Sequence, residues 1–330
     1  ILLALVLPSI PFLSLLVCLT LCFLRRRKSR RSPSDAESGG GGGGDGLIRF
    51  QGGEDLGVHD ILEAPGEVIG KSGYGTLYRA NLIRWNSVAL LRFLRPTCTL
   101  SAKEAAPIVE MLGSVRHPNL VPLTAFYAGP RGEKLMVHPF YGAGNLAQFI
   151  RCERGEARKW RVISGISIGI AKGIRHLHTC IHNHPIIHGN LKSKNVMLDS
   201  QYKPYISDFG LHLVLNPTAG QQMLDSSAAH GCKPPELIKM KDVSPETDVY
   251  SLGLIFLELL TGKNPDRDSC AVPVVDDDGL LDLDVLVDGE EEEEDRIRRY
   301  LRLATACCSP ARLSRPDIDQ VVGKLEEIAK

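Results

Sequence analysis

The segment IGKSGYGTLYRA carries glycines at a spacing that suits phosphate binding. It reads as a strand, a glycine-rich turn and a returning strand, with Gly70, Gly73 and Gly75 around the turn. Because glycine has no Cβ, backbone amides at these positions can approach a polyphosphate closely. A β-hairpin that binds no ligand would show the same pattern, so this segment alone leaves both interpretations open.

The order of several short motifs is more specific than any one of them. After the glycine-rich segment come SVALLRFL, HGNLKSKNVMLD, SDFG, PPE and DVYSLG, followed by Arg315 and Pro316. Such an ordered set has a low chance of accident. From about residue 60 to the end, some four fifths of its length, the chain resembles a protein kinase domain of the plant leucine-rich-repeat receptor-like type. The family residues that it lacks most resemble those missing from the transmembrane kinase-like members of that family.

Two different kinds of element would position these motifs. From about Asp60 the chain shows short β-rich runs, interrupted by one helical stretch near Ala102 to Ser114. After residue 145 helical periodicity takes over, and one apolar face recurs at spacings of three and four through Ile163, Ile166, Ile170, Ile174 and Leu177. We therefore expect an α+β, bilobal kinase-like fold, with an N-lobe at about 60–141, a C-lobe at about 142–330 and a cleft between them.

The resemblance implies that the lysine of the upper lobe is missing. Phosphoryl transfer in the family uses a strand lysine held by a helix glutamate. Because Val88 and Ala89 match the family's strand motif, the lysine position falls on Leu91. Arg92 follows directly and is expected to face the other side of the strand, since side chains alternate with a period of two.

The helix partner of that lysine is also replaced by an aliphatic residue. Counting back from His117 by the family's usual spacing places Ile108 at the glutamate position. Packing of Leu91 on Ile108 would contribute about 1.5 to 3 kcal/mol per side chain, whereas a buried glutamate without its lysine would be costly. Glu104, one turn earlier on the same face, is the alternative glutamate.

The catalytic loop of the family reads His-Arg-Asp, and here it reads His188, Gly189, Asn190. An amide does not accept a proton at physiological pH, so general-base assistance worth about 10² to 10⁴ in rate is absent. Gly189 removes the arginine that often pairs with a phosphorylated activation loop. Switching by phosphorylation is therefore not expected, although Thr218, Ser226 and Ser227 lie in that loop.

Some binding residues of the family are retained. By resemblance, Asp208 and Asn195 match the two magnesium ligands, and Lys192 matches the lysine that approaches the terminal phosphate. With Gly70, Gly73 and Gly75 they would form a weak site for ATP and Mg²⁺, and Lys71 could serve as a replacement cation. Asp208 and Asn195 could equally be retained as structural hydrogen-bonding groups.

Other retained residues have structural roles in the family. Glu236 and Arg315 match the ion pair that ties the activation segment to the lower lobe, and Asp248 matches the residue that braces the catalytic loop. Four nearby histidines lack Cys or carboxylate partners at ligand spacing, so no further metal site is expected: His176, His178, His182 and His184.

The N-terminal part predicts attachment to a membrane. Residues 1–24 carry no charge and are long enough to cross about 30 Å of hydrocarbon as a helix. A signal peptide would need a basic region before the apolar run and a cleavage site after it, and neither is visible. Residues 25–59 form a basic juxtamembrane segment and a Gly/Ser-rich flexible linker, in which residues 25–31 would attract anionic lipid.

Composition restricts the remaining classes of function. The 330 residues include 39 basic and 39 acidic side chains, so we expect no nucleic-acid partner. Nine cysteines occur without a C-x-x-C pair, which indicates reduced thiols in a cytosolic domain.

Three hypotheses follow from the sequence. The leading one is a single-pass membrane pseudokinase, in the plasma membrane, that scaffolds other signalling proteins, with active receptor-like kinases among the candidate partners. The alternative is a slow ATP-dependent Ser/Thr kinase that uses Asp208, Asn195 and Lys192, with Lys71 as its cation. The third is an adaptor that never binds nucleotide.

Overall fold

The computed structural model describes residues 46–152, 154–157, 159–181, 184–228, 233–263 and 291–330. The predicted transmembrane helix at 1–24 and the basic lipid-binding segment lie outside the described residues. No helix of the described part combines the length and apolar character needed to cross a membrane. Residues 45–330 form one compact unit.

The upper lobe is built on a six-stranded antiparallel sheet. Its strands are, in spatial order, β1 (Leu47–Arg49), β5 (Ala125–Ala128), β6 (Lys134–Pro139), β4 (Ser87–Leu94), β3 (Gly75–Leu82) and β2 (Gly66–Lys71). Two helices accompany the sheet, α1 (Val58–Leu62) and α2 (Ala102–Ser114).

Helix α2 begins with a reciprocal cap that explains its position. The Ser101 hydroxyl accepts from the Glu104 N–H at 3.3 Å, and the Glu104 carboxylate accepts from the Ser101 N–H at 3.0 Å. Such a capping box satisfies two backbone donors at the helix start. It also commits the Glu104 carboxylate to the end of the helix.

The folded unit begins earlier than the boundary predicted near residue 60. Leu47 pairs with Tyr127 and Arg49 with Ala125, so β1 is part of the main sheet. The flexible linker predicted to continue to residue 59 is therefore too long. Hydrogen bonding to β5 orders this segment although its Gly-rich composition indicates a tether.

The lower lobe is mainly helical. Its elements are α3 (Leu146–Cys152), α4 (Arg154–Ala157), α5 (Trp160–Thr179), a hairpin of β7 (Val196–Leu198) and β8 (Pro204–Ile206), α6 (Leu211–Val214), α7 (Pro217–Ala228), α8 (Pro245–Thr261), α9 (Glu291–Cys307) and α10 (Ile318–Ile328). The apolar face predicted on α5 is buried throughout, and α8 is buried almost all round, as its composition predicts. The bilobal α+β fold is confirmed.

Strand β8 is fixed between α5 and the upper lobe. A Cβ at Gly169 would lie 2.5 Å from the Pro204 side chain, so α5 approaches the strand closely. The Ile206 N–H donates to the Asn119 carbonyl at 2.8 Å, and the Val121 N–H donates to the Ile206 carbonyl at 2.9 Å. These contacts hold the segment that leads directly into the DFG motif.

Candidate functional site

The register of β4 decides which side chain enters the cleft. Arg92 of β4 lies opposite Met136 of β6, and Leu90 lies opposite His138. Met136 belongs to the hydrophobic core that contains the buried residues of α2. Cross-strand partners share one face of a sheet, so Arg92 faces α2 and the lower lobe. The prediction that Arg92 faces away is therefore wrong.

Leu91 lies on the opposite face of the sheet. It packs in a second hydrophobic cluster with Leu47 and Ile61, whereas Ile108 packs against the main core. The predicted contact of Leu91 with Ile108 is not formed. The position of the strand cation in the family therefore falls on Arg92 rather than on Leu91. Ile108 lies on helix α2, which faces Arg92.

Arg92 forms an ion pair with the aspartate of the DFG motif. Its Nη2 lies 2.5 Å from the Asp208 Oδ1, and the two side chains are only 7% and 10% exposed. In kinases the strand cation is held by the helix glutamate. Here the helix carries Ile108 and the guanidinium instead bridges the two lobes.

A small cavity adjoins this ion pair. A cavity of about 10 Å³ is lined by residues of both lobes, including Leu112, Met136, His138 and Phe209. That volume holds about one water molecule. Burial lowers the pKa of His138 to about 4, and its Nδ1 lies 2.9 Å from the Pro122 carbonyl oxygen. The neutral imidazole therefore donates to Pro122 from Nδ1.

The glycine-rich turn closes on itself. The Ser72 N–H donates to the Gly75 carbonyl at 2.9 Å, and the Gly75 N–H donates to the Ser72 hydroxyl at 3.1 Å. These two amides are therefore occupied within the turn. A Cβ at Gly73 would lie 3.5 Å from the Gln222 Oε1, so the turn rests against α7. The Tyr74 side chain packs against the main core, and burial, with the charge of Asp208, raises the pKa of its hydroxyl.

Asp248 holds the catalytic loop in place. Its Oδ2 accepts from the His188 N–H at 2.7 Å and from the His178 imidazole at 3.0 Å, and its Oδ1 accepts from the Gly189 N–H at 3.0 Å. Burial raises the pKa of Asp248, but these hydrogen bonds outweigh it and the pKa is lowered. The carboxylate therefore stays ionised and braces the loop.

Gly189 is required by the backbone at its position. Its φ is 74°, and a Cβ there would lie 2.7 Å from the His212 Nδ1. The family's arginine would meet both the strained backbone and this ring. The local backbone and the His212 ring therefore disfavour an arginine at position 189.

Asn190 contacts a serine hydroxyl of the activation segment. The Ser227 Oγ donates to the Asn190 Oδ1 at 2.6 Å, and the Lys192 Nζ lies 3.4 Å from the same hydroxyl. The Asn195 side-chain amide donates to the Asn190 carbonyl at 2.9 Å. The serine thus occupies the place beside the proton-acceptor position that a substrate hydroxyl would need.

Two of the six candidate nucleotide-binding residues, Asp208 and Asn195, would hold the metal, and both make contacts within the protein. One Asp208 oxygen is paired with a guanidinium, and the Asn195 amide is bonded to the catalytic loop. A metal bound there would share Asp208 with the Arg92 guanidinium, and the repulsion between the two positive charges would weaken its binding. Among the described residues, no group of three or more His, Cys, Asp or Glu side chains could hold a metal ion.

Arg315 and Glu236 form a bidentate ion pair in the lower lobe. The two contacts are 2.6 and 2.8 Å, and the Arg315 side chain is fully buried. Burial raises the pKa of Glu236, but the Arg315 hydrogen bonds more than compensate and the pKa is lowered. This pair ties the PPE segment to the start of α8, since Arg315 also donates to the Glu246 carbonyl.

The lobes, the braced catalytic loop and the Glu236–Arg315 pair are arranged as in kinases, and sequence comparison agrees. The profile of the family described as protein kinase domain matches residues 64–324. The chain belongs to the protein kinase domain family. This confirms the resemblance seen in the motifs.

The relatives of this kinase domain are plant receptor-like proteins. The putative kinase-like protein TMKL1 of Arabidopsis thaliana is 36% identical over 297 residues, covering 85% of this chain and 44% of that protein. The probable leucine-rich repeat receptor-like protein kinase IMK3 of the same plant is 39% identical over 293 residues, covering 86% of this chain and 37% of that protein. Probable inactive receptor kinases also match. The chain thus spans between 37% and 52% of the length of these relatives.

A solved kinase domain shares the fold. The maize SIRK1 kinase domain bound to AMP-PNP has a TM-score of 0.71 and 28% identity, and the match covers 86% of this chain and 100% of that one.

Sequence reasoning missed three contacts of the site: the Arg92 ion pair, the packing of Tyr74 and the Ser227 hydroxyl bond. Only the Ser227 contact had a signal in the sequence. Pro217 followed by the apolar residues Ala219, Met223 and Leu224 at helical spacing indicates a helix with one buried face.

Proposed function

We propose that the chain is a membrane-anchored receptor-like pseudokinase that binds other signalling proteins and transfers little or no phosphate. The observation that carries this proposal is the amide of Asn190 at the position where the family places its general base. Its Oδ1 already accepts the Ser227 hydroxyl at 2.6 Å but cannot take the proton away. The paired state of Asp208 supports the same conclusion, because the Arg92 guanidinium competes there with the metal that neutralises phosphate charge.

The location and partners are extended from the relatives and the N-terminal sequence. Relatives with receptor-like names, together with the uncharged residues 1–24, support a single pass through the plasma membrane with the kinase domain in the cytosol. The basic residues 25–31 would contact anionic lipid. Other receptor-like kinases are the partners that such a module would bind.

The decisive experiment measures phosphate transfer by the purified chain. Incubation with radiolabelled ATP and Mg²⁺, with and without a generic protein substrate, should give no more incorporation than the Asp208→Ala variant. Incorporation clearly above that variant would contradict the proposal.

A weakly active Ser/Thr kinase is the second candidate, and the position of Arg92 favours it more than the sequence did. Arg92 supplies a cation in the cleft, so Lys71 is not needed to replace the strand lysine of the family. If Arg92 can leave Asp208, then Asp208, Asn195 and Lys192 could hold MgATP. In that case millimolar MgATP should raise the melting temperature, and the rise should disappear with EDTA. Without nucleotide binding, no shift is expected.

A further inference from the structure

A groove of about 510 Å³ lies between the first turns of α5 and the β7–β8 hairpin. Its apolar part is formed by Val162, Ile166 and Pro204. Gly165 also lines it, and a Cβ at that position would meet no atom within 4 Å. The volume lies in the range of clefts that bind ligands or peptide side chains. The groove is therefore open space that the fold itself does not fill.

The rim of this groove is positively charged. Lys159, Arg161 and Lys203 line it and are exposed, and no carboxylate is among its described lining residues. The Lys203 ammonium lies 5.2 Å from the Tyr205 ring centre, and its backbone N–H donates to Asp199 at 3.0 Å. The Asp199 carboxylate therefore lies beside Lys203, and it is occupied by hydrogen bonds from Gln201, Lys203 and Tyr205.

The positive charge extends beyond the rim. Burial lowers the pKa of His117 to about 4, and the positive charges of Arg175, Lys172 and Lys203 lower it further. On this side of α5 an opposing carboxylate is Glu326, which pairs with Lys172 at 2.7 Å. The face around the groove is therefore cationic over more than its lining residues.

We propose that this groove is a docking surface for an acidic peptide segment of a partner protein that also carries apolar side chains. Carboxylates would meet Arg161 and Lys203, and an apolar side chain would enter the space above Gly165. The inference rests on the partner-binding part of the proposed function and not on the absence of phosphotransfer. The binding and kinase assays can therefore fail independently.

An anionic membrane is the competing occupant, and the shape of the groove argues against it. A bilayer presents a flat plane of headgroups, which would reach the rim cations but would leave the concave apolar floor uncovered. A peptide can fill both. The floor is thus the feature that selects a peptide.

The test uses the complete chain in a neutral detergent with a short fluorescein-labelled peptide of mixed glutamate and leucine, read by fluorescence anisotropy. Arg161→Glu and Lys203→Glu should each weaken binding by roughly tenfold. Gly165→Leu should abolish binding by filling the groove, while its melting temperature should not fall, since glycine is the poorer helix former. Gly323→Leu is the matched control, because a Cβ there also meets no atom within 4 Å on the separate helix α10.

The proposal is supported if the peptide binds, both charge reversals and Gly165→Leu lose binding, and Gly323→Leu keeps it. It is overturned if the peptide does not bind at millimolar concentration, or if Gly165→Leu binds as well as the parent chain. It is also overturned if a soluble short-chain phosphatidylserine binds while the peptide does not, since the occupant would then be lipid.

Discussion

At the scale of single residues, Arg92 and Asp208 determine which groups the cleft can bind. Removing two charges from water is expensive, and the interaction repays this cost only when each charge has its partner. Arg92 has that partner at 2.5 Å in a site where both side chains are almost fully buried. A magnesium ion that replaced the guanidinium at this oxygen would leave Arg92 buried without a counter-charge.

Breaking this ion pair should therefore destabilise the fold strongly. We expect Arg92→Met to lower the free energy of unfolding by about 3 to 5 kcal/mol, because it leaves the Asp208 carboxylate buried alone. Arg92→Met combined with Asp208→Asn should cost less than the sum of the single changes. Urea unfolding measures each value.

The control is Arg79→Met, which removes an exposed ion pair with Glu67. This change should cost no more than about 1 kcal/mol. Additive losses in the double variant would show that Arg92 and Asp208 do not interact as described.

The neutral state of His138 should make stability depend on pH. Its pKa is lowered by burial to about 4 in the folded protein, against about 6.5 in the unfolded chain. Between these values the unfolded chain binds the extra proton, so the free energy of unfolding falls as pH falls from 6.5 towards 4. The loss is about 1.4 kcal/mol per pH unit for this residue and stops below the folded pKa.

The His138→Gln variant isolates this contribution, since glutamine keeps an N–H for the Pro122 carbonyl but does not titrate. Urea unfolding at several pH values between 4 and 7 should give a slope shallower by about one proton than in the parent chain. Equal slopes would exclude His138 as a source of the pH dependence.

At the scale of elements, α7 covers the catalytic loop. The helix buries Ala219, Met223 and Leu224 in the main core, and its Ser227 hydroxyl bonds to Asn190 and to the Met223 carbonyl. A protein substrate could reach Asn190 only after this end of the helix had moved. The element that covers the substrate position is thus held in part by one hydroxyl group.

The Ser227 contact can be tested by hydrogen exchange. Ser227→Ala leaves the buried Asn190 oxygen without its donor, which costs about 1 to 2 kcal/mol locally. Amides of residues 217–228 should then exchange roughly 5 to 30 times faster. Thr218→Ala, at an exposed position in the first turn of the same helix, is the control and should change exchange much less. Equal acceleration in both variants would show that the Ser227 bond does not hold the helix.

The limits of the sequence prediction have a physical cause in β4. Alternation of polar and apolar residues sets the faces of a strand, but SVALLRFL is apolar at nearly every position and fits two registers. The match of Val88 and Ala89 to the family's strand motif selected the wrong register. Pairing with Met136 and His138 fixes the correct face, and strand pairing is not visible in a single sequence.

Elements with a strong local signal were predicted well. Helix α2 occupies residues 102–114 as expected, because its cap and apolar spacing lie within the segment itself. The buried face of α5 followed from periodicity alone. The Arg92–Asp208 pair joins residues 116 positions apart, so only the packed lobes reveal it.

At the scale of the whole molecule, contacts within the chain join the two lobes. Besides the Arg92–Asp208 pair, Thr99 forms an antiparallel bridge with Leu215, and the Asn216 N–H donates to the Cys98 carbonyl at 2.9 Å. The segment after the DFG motif is thus bonded to the upper lobe. We infer that the lobes unfold together.

The two tryptophans of the chain can report on this coupling, since Trp85 lies in the upper lobe and Trp160 begins α5 in the lower lobe. Variants that keep one tryptophan and replace the other by phenylalanine should show the same urea midpoint by fluorescence, as for one cooperative unit. Adding Arg92→Gln should separate the midpoints, with the Trp85 signal lost at lower urea. Adding Arg79→Gln should leave them coincident. If the two midpoints already differ while Arg92 is intact, the lobes unfold independently. A nucleotide or a partner would then be needed to couple them.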